Sequence, residues 1–141
     1  MRNGGTSAWW ARIARNKKSV TANLRTEKGC EIVRKLAAEC DVLIENFRPG
    51  AMERWGLGPD ELRKDNPGLI YARVSGYGQD GPYSSKLGFV SVCEGMGGFR
   101  YLNGFTDRPP VRQKLSMGDT LSGLHTALGV LMHCVRKLTD P

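Results

Sequence analysis

At 141 residues, with 40% hydrophobic and 25% charged side chains, the chain has the length and composition of one globular domain, which excludes a disordered polymer. Lys and Arg outnumber Asp and Glu by 21 to 14, and the resulting net charge of +7 suits nucleic acid, an acidic surface or a phosphate-rich small ligand without choosing among them. No apolar run approaches the roughly 18 to 20 residues that span a bilayer, and the opening MRNGGTSAWWARIARNKK lacks the apolar stretch of a secretory signal. The expected address is therefore cytoplasmic, or the mitochondrial matrix in a eukaryote, with no membrane partner.

The segment up to about Ser19 carries Arg2, Arg12, Arg15, Lys17 and Lys18 around Trp9 and Trp10 with no sustained period, and reads as a loop or the remnant of something larger. From Thr26, the residues Cys30, Ile32, Val33, Leu36, Ala37 and Cys40 recur three and four apart while Glu27, Lys28, Arg34 and Lys35 turn outward, which predicts an amphipathic helix. DVLIEN, Asp41 to Asn46, is a short apolar run of the kind found in a buried parallel strand. Arg48, Pro49 and Gly50 then break the chain before a short helix with Ala51, Met52 and Trp55. Pro59, Asp60 and Glu61 mark another helix start, since proline fits the first turn and acidic groups favour its positive end. LIYARVSGY, Leu69 to Tyr77, is the second predicted strand.

A further short helix is expected from Leu87 to Gly97, then an irregular connection from Gly98 to Gln113. The last helix is the clearest element: Leu121, Leu124, Leu128, Leu131 and Val135 alternate three and four apart as a packed stripe, and Arg136 and Lys137 complement its negative end. This succession predicts an α/β fold, a Rossmann-like open sheet with flanking helices. In such sheets the working groups lie in loops beyond the carboxyl ends of the strands, here ENFRPG and SGYGQDGPY.

Several residues then carry competing readings. Asp119 stands directly before the last helix and is either its N-cap or an ionised, accessible carboxylate able to act as a nucleophile, with Gly118 leaving room for a substrate. In ENFRPGAMERWG, Arg48 and Arg54 are either solvated or part of an anion site at a short helix N-terminus, with Phe47 placed to lie against a flat ring. CEGMGG matches neither Walker spacing nor GxGxxG after a strand and reads as a closely packed or flexible loop. Cys30, Cys40, Cys93 and Cys134 form no CxxC pair, so no metal is expected and the thiols are read as mostly packing; His125 and His133 receive no role. Tryptophans beside arginines raise nucleic-acid binding as another possibility, but no RNA or DNA module is recognisable, and no nucleic-acid partner is expected.

Taken in order, NKKSVTANLRTEKG, DVLIENFRPGAMERWGL, NPGLIYARVSGYGQDGPY and PPVRQKLSMGDTLSGLHTALGVL resemble the family III CoA-transferases, the group that includes formyl-CoA transferase and carnitine CoA-transferase. The resemblance runs from about Asn16 to Val135. It implies a transferase that moves CoA from an acyl-CoA thioester to a free carboxylic acid, with coenzyme A and acyl-CoA as substrates and no permanently bound cofactor. The nucleophile carries over onto Asp119, acting through an aspartyl anhydride and an aspartyl-CoA thioester. CoA contacts carry over onto Ala22, Asn23, Leu24, Arg25, Asn46, Phe47, Arg48 and Arg54, with a looser match near Leu87 to Val90. The basic balance then finds a counterpart in the phosphates of CoA, and Phe47 in its adenine ring.

Members of that family are usually longer chains. The resemblance implies that residues 1–141 are a partial large domain, bearing the nucleophile and part of the CoA site, with a first strand and helix before it and a small domain with a glycine-rich loop after it. The expected partners are an acyl-CoA, a small carboxylic acid and, at full length, a second copy in an interlaced homodimer. Such a partial chain is expected to leave sheet edges unpaired and apolar faces exposed. The alternative within the same family is a catalytically incomplete CoA-binding or dimer-interfering fragment.

Overall fold

The computed structural model describes residues 2–3 and 5–139. In chain order they form β1 (Arg2–Asn3), β2 (Thr6–Ser7), α1 (Ala8–Ile13), α2 (Glu27–Glu39), β3 (Val42–Glu45), α3 (Ala51–Arg54), α4 (Pro59–Asp65), β4 (Ile70–Arg73), α5 (Val90–Met96) and α6 (Met117–Thr139). The architecture is mixed α/β: β3 and β4 pair in parallel, from Val42 opposite Ile70 to Glu45 opposite Arg73, with helices flanking them. A separate antiparallel pair joins β1 to β2.

Local chemistry accounts for the central elements. The Thr26 side chain caps α2 by accepting from the Gly29 N–H at 3.3 Å. Asn66 closes the other end, its side-chain amide donating to the carbonyls of Ala37 at 3.0 Å and Cys40 at 2.8 Å. Those carbonyls would otherwise be orphaned, and their capture lets α2 run into β3 with almost no loop. Gly50, at φ 77°, turns the chain in the left-handed region that favours glycine and starts α3. In α4, Pro59 opens the first turn with Asp60 and Glu61, and Arg63 and Lys64 occupy the last.

The core lies where α2, the α3 corner, α4 and the start of β4 meet: Cys30, Ala37, Met52, Leu57, Leu62 and Leu69 are buried together, with Leu24, Val33, Leu43, Trp55 and Tyr71 packed around them. Leu57 is fully enclosed, and its carbonyl accepts from the Tyr71 hydroxyl at 2.9 Å. Burial, reinforced by the negative charge of Glu45, pushes the Tyr71 pKa up to about 12 and keeps that hydroxyl a donor.

Four sequence expectations are corrected. The N-terminal segment is not simply loop, since residues 8–13 form α1 with both tryptophans exposed. Only part of the α2 stripe is buried; Ile32 and Leu36 remain 42% and 49% exposed among the described residues. β4 stops at Arg73 rather than Tyr77, because the chain after Val74 leaves the ladder for a turn-rich loop. The α6 stripe is not packed: Leu121, Leu124, Leu128 and Leu131 are between 46% and 60% exposed, since among the described residues α6 packs mainly against α5 and β4. The expectation of exposed apolar faces agrees with this.

Among the described residues, no helix is long and apolar enough to cross a membrane, and no three metal-ligating side chains cluster. Cys30 is buried, Cys93 and Cys134 are half-buried, Cys40 is exposed, and all four thiols are free, so packing describes them only in part.

Candidate active site

Asp119 sits near the entrance of α6, but not at its cap. The helix begins at Met117, so Asp119 is its third residue, and the Ser116 carbonyl accepts from the Thr120 N–H at 3.0 Å. The N-cap reading is therefore replaced: Asp119 is an exposed carboxylate in the first turn of α6. Gly118 lines the cavity beside Asp119 and has a packing reason as well. A Cβ at Gly118 would fall 2.2 Å from Val90 Cγ2, so its missing side chain lets the start of α6 approach α5.

Asp119 lines a cavity of about 510 Å³. Its walls come from the end of β3 at Asn46, from Val74, Ser75 and Gly76 after β4, from Gly88 to Val90, and from Cys93 and Glu94 on α5. A smaller hollow, about 60 Å³, is lined by Asn46, Phe47, Arg48, Pro49, Tyr77, Ser84 and Lys86. Asn46, Ser75, Gly76 and Gly88 line both, so the two are neighbours across a shared wall. Asp119 and Glu94 thus line one side of that wall, and the rings of Phe47 and Tyr77 with the cationic Arg48 and Lys86 line the other.

The smaller hollow is held by local bonds. Phe47 meets Trp55 edge to face, ring centroids 5.3 Å apart, yet stays 41% exposed. Lys86 stands over the Tyr83 ring at 4.2 Å, and Tyr83 tilts against Tyr77. Below them Arg73 reaches Glu53 at 2.5 Å and Gln79 at 3.0 Å, while Gln79 donates to Ser75 Oγ. The loop after β4 is therefore tied to both its own strand and α3.

The sequence candidates are brought together only in part. Asn46, Phe47 and Arg48 line the hollow, and Arg54 is close by, its guanidinium 3.5 Å from where a Cβ on Gly50 would stand. Ala22, Asn23, Leu24 and Arg25 line neither cavity. They form the turn ahead of α2: Asn23 Oδ1 accepts from the Arg25 N–H at 3.1 Å, the Asn23 carbonyl accepts from Thr26, and Leu24 leans on the core. Gly88 to Val90, in the looser region, do line the larger cavity.

Residues missed in the sequence include Lys86 and Glu94. Glu94 is buried, with Oε2 accepting from Arg112 Nε at 3.1 Å and Oε1 without a hydrogen-bond partner among the described residues. The signal was present: Glu94 is the only charged residue in the mostly apolar helix VSVCEGM.

The model of CoA-transferase family III matches residues 1–140. The chain is 53% identical over 128 residues to the succinyl-CoA–D-citramalate CoA-transferase of Chloroflexus aurantiacus, covering 91% of this chain and 32% of that protein. It is 47% identical over 132 residues to the alpha subunit of the succinyl-CoA–L-malate CoA-transferase of the same organism, covering 93% and 31%. The fold superimposes on a CAIB/BAIF family protein from Brucella suis with a TM-score of 0.89 at 37% identity, over 99% of this chain and 38% of that one. The chain spans about a third of the length of the curated relatives it matches. With the family model covering nearly every residue and the fold agreeing, the chain belongs to CoA-transferase family III.

Proposed function

We propose that this chain carries the nucleophile and part of the CoA site of a transferase that moves CoA from an acyl-CoA to a free carboxylic acid. The observation that supports this most directly is the shared wall: Asp119 lines one side, and Phe47, Arg48 and Lys86 line the other. A long ligand with an acyl thioester at one end and a phosphorylated adenosine at the other matches that order. Arg48 and Lys86 offer charge-assisted bonds to phosphate, and the exposed part of Phe47 offers a face to a purine.

The chemistry follows from a carboxylate nucleophile. An Asp119 oxygen attacks the thioester carbonyl, the C–S bond breaks, and CoA leaves as the thiolate with a mixed aspartyl anhydride behind it. The thiolate then attacks the aspartyl carbonyl, giving aspartyl-CoA thioester and releasing the first acid as its carboxylate. The acceptor carboxylate enters, attacks the thioester, and the steps reverse. No net proton is required, which fits a site where the reacting side chain is an exposed carboxylate. No resident cofactor enters the scheme.

The relatives' names, with succinyl-CoA as donor and D-citramalate or L-malate as partner acid, support a small dicarboxylate donor and a hydroxy-dicarboxylate acceptor. A homodimer of the whole protein is the proposed assembly, supported by the uncovered stripe of α6. A second reading is CoA binding without turnover by these 141 residues alone, which match only about a third of the length of the relatives.

The test is mass spectrometry of the full chain after incubation with succinyl-CoA and quenching with hydroxylamine. A hydroxamate on Asp119 is expected; an unmodified Asp119 in a folded, CoA-binding protein refutes the nucleophile. Binding without any exchange of label between succinyl-CoA and free acid selects the second reading.

A further inference from the structure

Next to Asn46, which lines both cavities, stands a buried carboxylate that the mechanism does not use, Glu45. It is the last residue of β3 and is only 8% exposed, while the residue before it, Ile44, is 61% exposed. A carboxylate in that position is costly, because burial penalises its charged form; desolvation lifts the Glu45 pKa above its ordinary value. The hydrophobic side chain expected at a buried strand end would avoid this cost. Glu45 therefore needs an explanation beyond packing.

Its contacts supply one. Glu45 Oε2 accepts from the Phe47 N–H at 2.6 Å, closing a tight ring over Asn46, while the Glu45 carbonyl accepts from the Val74 N–H at 2.9 Å. One residue thus ties the loop that leaves β3 both to itself and to β4. The charges facing it are Arg73 on the neighbouring strand, which favours its ionised form, and Glu53 on α3, which opposes it; the Tyr71 hydroxyl stays neutral. Arg73 is already engaged with Glu53 and Gln79, so the Phe47 N–H is the hydrogen bond that the Glu45 side chain makes. Downstream, the Arg48 carbonyl accepts from the Ala51 N–H at 3.0 Å, so the segment from Asn46 to Arg48 is pinned at both ends.

We propose that Glu45 is a positioning residue for the nucleotide end of CoA, its buried carboxylate holding the Phe47 backbone so that the Phe47 ring and the Arg48 side chain face the smaller hollow. This rests on the CoA reading above and deepens it. Without the acceptor, the Phe47 N–H loses its partner and the loop gains freedom that CoA must remove on binding.

The experiment compares wild type, Glu45→Gln and Glu45→Leu in the full chain, with CoA affinity by calorimetry and stability by thermal melting. The amide oxygen of glutamine still accepts from Phe47, whereas leucine fills the space and accepts nothing. Glu45→Leu is expected to bind CoA about tenfold more weakly with an undiminished melting temperature, and Glu45→Gln to stay within about threefold of wild type. Equal CoA affinity in wild type and Glu45→Leu, or equal losses in both variants, overturns the proposal. Amide exchange in the wild type gives a reading that needs no variant: the Phe47 N–H is expected to exchange at least about tenfold more slowly than an unbonded loop amide, and fast exchange overturns the proposal. If wild type itself fails to bind CoA, the CoA reading falls and this inference with it, an outcome distinct from the others.

Discussion

Gly76 and Gly88 meet backbone to backbone: a Cβ built on either would stand 2.5 Å from the Cα of the other. Both residues line both cavities, so this contact forms part of the wall between the proposed thioester and nucleotide ends. No side chain fits there. Gly88→Ala is expected to force the loop after β4 away from the segment before α5 and to lower stability by about 1–3 kcal/mol. Thermal melting checks it, and an unchanged melting temperature contradicts the close contact.

Asp119→Asn separates chemistry from folding. The side chain is exposed and makes no hydrogen bond or ion pair among the described residues, so stability should change by no more than about 1 kcal/mol, the range for a charge at a helix end. Removing the nucleophile should lower CoA transfer in the full chain by about a thousandfold or more. Activity within tenfold of wild type would remove Asp119 from the mechanism.

Glu45 also makes a pH prediction. Its folded pKa lies above the ordinary 4.5, so the folded state holds this proton more tightly than the unfolded chain. The associated stability is present in full below the unfolded value and is lost as pH rises through the folded one. Glu45→Gln, neutral at every pH, should therefore gain stability over wild type near about pH 7.5 and lose that advantage near about pH 4. Melting curves at the two pH values check the sign; a constant difference would refute the buried-carboxylate account.

Two leucines distinguish the core from the uncovered helix. Leu57 is fully enclosed, and Leu57→Ala should cost about 2–5 kcal/mol. Leu128 is 49% exposed, and Leu128→Ala should cost about 1 kcal/mol or less in the isolated 141 residues. In the full chain, the proposed cover over α6 should bring the Leu128 cost toward that of Leu57. Chemical denaturation of both forms checks the contrast.

Tyr71→Phe tests the bond across the core. The Leu57 carbonyl loses its 2.9 Å donor, and the expected cost is about 1–2 kcal/mol by denaturant titration. A neutral effect would mean that the carbonyl finds another donor.

What could be read from residue order was local. Periods of three and four placed α2 and α6, a short apolar run placed β3, and Pro59 with its acidic neighbours placed the start of α4, because each depends on residues within a turn or two of one another. The motif order also led to the family and to Asp119 and the Asn46–Phe47–Arg48 segment as candidates. Boundaries and environments were less legible. That Asp119 lies inside the first turn rather than at the cap depends on where α6 meets α5 through Gly118 and Val90. That Glu45 is buried and bonded to Phe47, that Gly76 and Gly88 touch, and that Glu94 shares a cavity with Asp119 are matters of tertiary structure. They join loops distant in the chain or fix the direction of one side chain, and hydropathy cannot show which face of a helix or strand end is covered until its neighbours are in place. For the same reason the leucines of α6 could be identified as apolar from the sequence, while their exposure was decided only by the fold.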